Sequence, residues 1–205
     1  MAHGVTDVLG IDGAHVGRSR LEIAASSFLH WDLESPVRLE RTFDLAISMA
    51  VAEHLSPGRA PSFVDDLTGL TPVVLFSAAI RGQGGVGHIN EQWFSYWARI
   101  FAERGFRAVG RLRAEFWDDA EVESWYRQNI LLYVREDRAQ EFSQVGRPGP
   151  LDIVHPELYS LKSVVRPNLG LLLRLFPGAV ARPFRHRLFG AKPASLPVAD
   201  APPQP

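Results

Sequence analysis

Apolar residues fall in short, uninterrupted runs along the first 135 residues. The runs are Val8–Ile11, Phe43–Met49 (FDLAISM) and Val73–Ile80 (VVLFSAAI). Runs without alternating polar positions are typical of strands that are covered on both faces, as in a parallel sheet. The pattern therefore predicts three early strands in a buried sheet.

Between and after these runs the apolar positions recur every three or four residues, which indicates helices. The order of the segments predicts an α/β domain over residues 1–145, built of βαβ units and ending in an antiparallel pair. The predicted helices are Ala60–Leu70, Trp93–Arg104 and Asp119–Gln128, and the predicted late strands are Phe106–Leu112 and Ile130–Val134.

The character of the chain changes after residue 145. Gly146–Pro150 (GRPGP) is a linker signal, and residues 146–192 form a basic, apolar extension. Its most apolar part, Leu169–Phe176, predicts a short helix that packs on the domain or against a second subunit. Weak contact of residues 158–190 with a membrane surface is the alternative. The Pro/Ala-rich stretch 193–205 is predicted to be disordered.

Composition narrows the class of protein. The chain has 205 residues, a formal net charge of −1 and no cysteine, which excludes disulfides and thiolate metal sites and gives no reason to expect nucleic acid. The residue pattern predicts no metal site. No apolar stretch reaches the ~18 residues that span a bilayer, so we expect a cytoplasmic protein.

Acidic residues at strand ends are the first candidates for ligand binding, since open α/β sheets bind ligands at the carboxyl ends of their strands. Asp12 closes the first run and is followed by Gly13. Its carboxylate could accept hydrogen bonds from a ribose diol, or Asp-Gly could form an ordinary turn. Asp32 follows Phe28–Trp31; as a second strand-end acid it could accept from an adenine amino group, or it could be a helix cap or a loop acid.

A glycine-rich loop follows the VVLFSAAI run. Four glycines lie between Gly82 and Gly87, and His88 comes directly after them. Such a loop could close over a substrate. A phosphate-binding loop is the competing interpretation, but the chain has no GxxxxGK[ST] motif and no Lys in its first 150 residues.

Several of these blocks together resemble a family of class I, S-adenosylmethionine-dependent methyltransferases of bacteria. The similarity extends from Val5 to Arg135, and it rests on VLGIDG, WDL, FDLAISMAVAEHL, VVLFSAAI, GQGGVGHINEQWFSYW and WYRQNILLYV. The resemblance implies a Rossmann-like sheet with helices on both faces and S-adenosyl-L-methionine as the cofactor. The implied reaction is methyl transfer to a small-molecule or sugar-type (glycan) acceptor.

The resemblance also implies roles for individual residues. The cofactor ribose would be bound by Asp12 with Gly13, the adenine by Asp32 with Leu33 beside the ring, and the methionine part by Ser48 and Met49. The acceptor would lie under Asn90, Glu91, Gln92 and Trp93. His88 and His54 are the candidate catalytic bases, because a free imidazole accepts a proton near neutral pH. The alternative for His54 is a helix-entry residue that hydrogen-bonds the neighbouring loop, and the alternative for His88 is a residue that pins the glycine loop.

The chain departs from the family at its beginning. Members start with a strand and a glycine-rich turn of the type D-x-G-x-G, in the centre of the sheet between the strands that end at Asp12 and at Met49. Only seven residues precede Val8. We therefore expect the first strand and first helix to be missing from this sequence. The alternative function is a non-catalytic remnant that acts as an interaction protein. A nucleotide-sugar or NAD enzyme is disfavoured because its fingerprint glycines are equally absent.

Overall fold

The computed structural model describes residues 4–109, 112–146 and 149–163, and within them it contains two sheets. A parallel pair is formed by β1 (Gly10–Asp12) and β2 (Phe28–His30). The second sheet has the order β3-β4-β6-β5, with β3 parallel to β4 and β6 antiparallel to both its neighbours. Its strands are β3 (Ala46–Met49), β4 (Val73–Ser77), β5 (Phe106–Val109) and β6 (Leu131–Arg135).

Helices connect these strands and follow them. The α-helices are α1 (Ala60–Leu70), α2 (Phe94–Ala102), α3 (Leu112–Phe116), α4 (Ser124–Asn129) and α5 (Pro156–Ser163). Short 3₁₀ helices cover Arg18–Arg20, Ala25–Ser27, Ala52–His54, Pro57–Arg59 and Glu136–Val145. Within the residues described, no helix is both long enough and apolar enough to span a membrane.

Both faces of the four-stranded sheet are covered. Neighbouring residues of β4 belong to different clusters: Val74 and Phe76 lie in the main core, and Val73 lies in a smaller cluster. Side chains of a strand alternate between its two faces, so the two clusters lie on opposite sides of the sheet. The main core also contains Phe63 and Val64 of α1, Trp97, Ile100 and Phe101 of α2, and Tyr133 of β6.

The mixed α/β class and the late antiparallel pair are confirmed. α1 has the bounds that the apolar spacing predicts, and α2 ends three residues before Gly105, whose φ of +70° suits a helix stop. Two late predictions are wrong in part. Leu112 begins α3 rather than ending a strand, and the helix predicted from Asp119 begins only at Ser124.

The connection from β3 to α1 is not a continuous helix. Two 3₁₀ turns stand between them, and Ser56 has the extended ψ of 145°. The cause is Pro57, because the proline ring disfavours a helical conformation of the residue before it. Glu53 and His54 therefore lie on a separate short turn at the end of β3, rather than in the first turn of a long helix.

Residues 149–163 pack on the same compact unit as the sheets. Leu158 of α5 is buried, the His155 amide donates to Gln128 Oε1 at 2.7 Å, and Arg113 Nη1 donates to the Leu151 carbonyl at 2.8 Å. The predicted helix at Leu169–Phe176, the remainder of the extension up to residue 192 and the tail 193–205 lie outside the described residues.

Candidate functional site

The carboxyl end of β3 has an unusual backbone. Ala50, directly after Met49, has a φ of +54° and is the one non-glycine residue with positive φ within the described ranges. An L-residue there costs roughly 1–2 kcal/mol, and such strain is often found at ligand sites. The amide of Ala50 donates to the Ser77 carbonyl at 3.0 Å. Ser48 is buried, and its hydroxyl has no partner among the described residues.

Glu53 is a buried carboxylate on the turn that follows this strand end, with 2% of its surface exposed. Its Oε1 accepts the Ala79 amide at 3.1 Å, whereas Oε2 is buried without a partner among the residues described. Its backbone carbonyl accepts the amides of Ile89 and Asn90 at 2.9 and 3.0 Å. Glu53 thus joins the end of β3 to the segment after β4, and it retains one free carboxylate oxygen.

The glycine loop (Gly82–Gly87) is held by one carboxylate. Glu91 Oε2 accepts the Gly82 amide at 2.8 Å, and Oε1 accepts the Gly84 amide at 2.5 Å and also bonds His88 Nδ1 at 3.0 Å. Gly82, Gly84 and Gly87 have φ between +68° and +80°, a conformation that side chains disfavour. The loop is therefore an anchored turn in this structure, and its motion as a lid stays a prediction.

The absence of a side chain at Gly85 leaves room for the imidazole ring of His88. A Cβ atom on Gly85 would overlap the imidazole ring of His88. The loop backbone therefore packs directly against this ring, and only glycine allows that approach.

His54 and His88 lie against each other beside Glu53. Their ring centroids are 4.9 Å apart in an edge-to-face arrangement. One ligand atom from each of Glu53, His54 and His88 lies within 4.8 Å of the others. The two predicted catalytic histidines thus come together, although 34 positions separate them in the sequence.

The four predicted acceptor-side residues do not share one surface. Asn90 is 1% exposed. Its Nδ2 donates to the Ala52 carbonyl and its Oδ1 accepts from Gln92 Nε2, so it pins the loop. Glu91 anchors the glycine loop. Gln92 and Trp93 line an open groove of about 480 Å³ together with Arg81, Ser95, Tyr96 and Arg99.

The remaining predicted cofactor residues lie at the two-stranded sheet. Asp12 ends β1 with its side chain 44% exposed, and its Oδ1 accepts the Gly13 amide at 2.7 Å. Asp32 Oδ1 accepts the Glu34 amide at 3.1 Å, which is a local turn bond. Leu33 packs against the main core, and its carbonyl accepts Arg59 Nε at 2.9 Å. Asp12 is thus on β1, and Asp32 and Leu33 follow β2, whereas Ser48 and Met49 are on β3 of the other sheet.

Two features of the site were missed from the sequence. Glu53 was not chosen, although it directly precedes His54 after a strand, and a carboxylate beside a histidine is a common pairing in ligand sites. Gln83 is the other. Its side-chain oxygen accepts the Ile80 amide at 3.2 Å and Asn129 Nδ2 at 3.0 Å, which ties the glycine loop to the end of α4. No short-range pattern could have shown this second contact.

Comparisons with family models, with curated proteins and with solved structures give no match to this chain.

Proposed function

We propose that this protein transfers a methyl group from S-adenosyl-L-methionine to a small-molecule or sugar-type acceptor. The observation that carries the proposal is the arrangement of the parallel strands. The expected family fold has one more strand between those that end at Asp12 and at Met49. In the described residues β1 pairs with β2 and β3 pairs with β4, and the other edges of β1 and β3 have no strand partner. Ile47 of β3 is 64% exposed. A strand between β1 and β3 would join the two parallel pairs into one sheet.

The residues at the strand ends fit the polar groups of this cofactor. Asp12 Oδ1 is engaged by the Gly13 amide, but the carboxylate is half exposed and has capacity for ribose hydroxyls. The unpartnered hydroxyl of Ser48 suits the polar methionine part. The local turn bond of Asp32 leaves its second oxygen for an adenine amino group. When bound, the cofactor supplies the methyl group.

The groove beside the glycine loop supports an acceptor of small-molecule size. It combines the aromatic side chains of Trp93 and Tyr96 with the polar groups of Arg81 and Gln92. Arg81 Nη2 donates to Gln92 Oε1 at 3.0 Å, which fixes both side chains at its rim. In this proposal such pre-positioned groups would hold the acceptor in line with the reacting carbon, and this orientation is the main contribution of a protein to a displacement reaction.

The test is cofactor binding by the purified protein. Calorimetric titration with S-adenosyl-L-methionine should show binding. Asp12→Ala should weaken it by about 1–3 kcal/mol through lost charge-assisted bonds to the ribose. The matched control is Asp44→Ala, which removes an exposed carboxylate before the amino end of β3 and should leave the affinity unchanged. No binding, or equal affinity in the Asp12 variant, would contradict the proposal.

A further inference from the structure

The three clustered side chains of Glu53, His54 and His88 have a property that methyl transfer does not require. Each has one polar atom occupied by a neighbour and one left over. Glu53 uses Oε1 for the Ala79 amide and leaves Oε2 buried without a partner among the residues described. A buried carboxylate oxygen with no partner costs free energy unless a cation or donor meets it.

Hydrogen bonds also fix which nitrogen each histidine leaves free. His54 Nδ1 lies 3.2 Å from the Gly87 carbonyl, and His88 Nδ1 lies 3.0 Å from Glu91 Oε1. Carbonyl and carboxylate oxygens only accept, so Nδ1 carries the proton in both rings. The Nε2 atoms then present lone pairs. Histidines that bind metals are held in this way, with the other ring nitrogen donating to a carboxylate or a backbone carbonyl.

We propose that Glu53, His54 and His88 bind a divalent transition-metal ion, with Zn²⁺ as the best match. Two imidazoles and one carboxylate form the three-ligand set of open zinc sites. Mg²⁺ and Ca²⁺ prefer oxygen ligands and fit this set poorly.

The geometry needs a side-chain adjustment for this ion. One ligand atom from each residue lies within 4.8 Å of the others, and two atoms bound to a tetrahedral Zn²⁺ at about 2.1 Å are about 3.4 Å apart. Side-chain rotations that bring the atoms closer by up to about 1.4 Å therefore complete the site. Glu53 is buried, but His54 is exposed, so solvent can reach the ion and its remaining positions are open to water or to an oxygen of the acceptor. His88 Nε2 is then a metal ligand rather than a proton acceptor.

Metal binding can be measured on the full chain without cofactor, so its outcome is separate from that of the methyltransferase proposal. The tag-free protein is treated with a chelator, dialysed and titrated with ZnCl₂ in a calorimeter. A parallel titration with CoCl₂ follows the visible absorption that Co²⁺ shows in a site of low coordination number. We expect one ion per chain for both metals and no binding of MgCl₂ at the same concentrations.

Single substitutions test whether the proposed residues bind the ion. His54→Ala removes an exposed ligand and keeps the fold, and it should weaken Zn²⁺ binding at least 10-fold, as should His88→Ala. Glu91→Gln leaves all three ligands in place but loses the carboxylate that orients His88, so a 10- to 100-fold loss is expected. His30→Ala is the control, because this exposed histidine lies at the end of β2, on the other sheet.

Two results would overturn the inference. One is the absence of stoichiometric Zn²⁺ binding by the wild-type protein. The other is binding that is unchanged in His54→Ala but lost in His30→Ala, which would place the ion on surface histidines. Circular dichroism of each variant checks that it is folded. For Glu53→Gln, whose buried carboxylate also holds the Ala79 amide, the shift in Tm on adding Zn²⁺ is compared with that of the wild type, and it should be smaller.

Discussion

At the residue scale, the conformation of the glycine loop depends on the absence of side chains at its glycines. Three of them adopt positive φ, and Gly85 leaves the space that the His88 ring occupies. The loop holds its shape through Glu91, whose carboxylate bonds two loop amides and His88. Acidic and glycine residues within ten positions of the sequence therefore determine the orientation of one imidazole.

The role of Gly85 can be tested by adding one methyl group. In Gly85→Ala the new Cβ would overlap the His88 ring, so the ring must rotate away and lose its bond to Glu91. We expect a decrease of about 1–3 kcal/mol in the free energy of unfolding, as for other overpacked sites. Urea unfolding measures it.

Gly69→Ala is the matched control for this substitution. Gly69 is exposed in α1, and a Cβ there meets no atom within 4 Å. Because alanine favours a helix over glycine, this variant should gain about 0.5–1 kcal/mol. Equal stability of Gly85→Ala and the wild type would mean that the loop yields freely and does not orient His88.

At the element scale, a buried ion pair joins α1 to the segment that leaves β2. The side chains of Arg59 and Asp66 are 4% and 9% exposed and bond each other. Arg59 also donates to the Leu33 and Ser35 carbonyls at 2.9 and 3.1 Å, and Asp66 accepts the Val37 amide at 3.0 Å. This pair is the polar connection between the region of the two-stranded sheet and the helix that covers the main core.

Removing one partner of this pair should be costly. In Asp66→Ala the guanidinium of Arg59 stays buried without its counter-charge, so we expect a loss of about 3–5 kcal/mol in the free energy of unfolding. Its neighbour Asp65 forms a surface pair with Arg104 and is 58% exposed. Asp65→Ala should therefore cost less than about 1 kcal/mol. Denaturant unfolding of the two variants measures the difference in their free energies of unfolding. Similar losses in both variants would contradict the stabilising role of the buried ion pair.

Local patterns predicted most of the elements because apolar periodicity reports burial directly. The FDLAISM and VVLFSAAI runs became β3 and β4, and the spacing of Phe63, Val64 and Leu67 placed α1 correctly. The turn at Glu53 was harder to predict, since its conformation depends on Pro57 and its buried position on the amide of Ala79, 26 residues away. The contact between the rings of His54 and His88 could not be predicted from local patterns either, because it depends on the parallel pairing of β3 with β4.

At the scale of the whole molecule, two polar side chains, those of Tyr133 and Arg113, are buried. Tyr133 is fully buried and stacks on Phe101 with ring centroids 3.9 Å apart, and its hydroxyl has no partner among the described residues. Arg113 is buried over the ring of Phe94 and donates to the Pro150 and Leu151 carbonyls. Burial raises the pKa of Tyr133 and lowers the pKa of Arg113 to about 10.

These two shifts have opposite effects on stability at high pH. Above the ordinary tyrosine pKa of about 10, the unfolded chain releases the Tyr133 proton while the folded chain retains it, so stability falls as pH rises. The lowered pKa of Arg113 acts the other way: the folded chain releases that proton first, which relieves the cost of the buried charge between about pH 10 and 12.5. A variant that removes only the phenol hydroxyl separates the two contributions.

Tyr133→Phe is that variant. At pH 8 it keeps the stacked ring and removes a buried hydroxyl without a partner, so its free energy of unfolding should equal that of the wild type or exceed it by up to about 1 kcal/mol. Its advantage should then grow by up to about 1.4 kcal/mol for each pH unit above 10, because only the wild type has the tyrosine that ionises on unfolding. Urea unfolding at pH 8, 9.5 and 10.5 measures this trend.

Tyr159→Phe is the control, since that side chain is 65% exposed and is solvated in both states, and its difference from the wild type should not change with pH. A constant difference for Tyr133→Phe as well would mean that the Tyr133 hydroxyl reaches solvent in the folded protein.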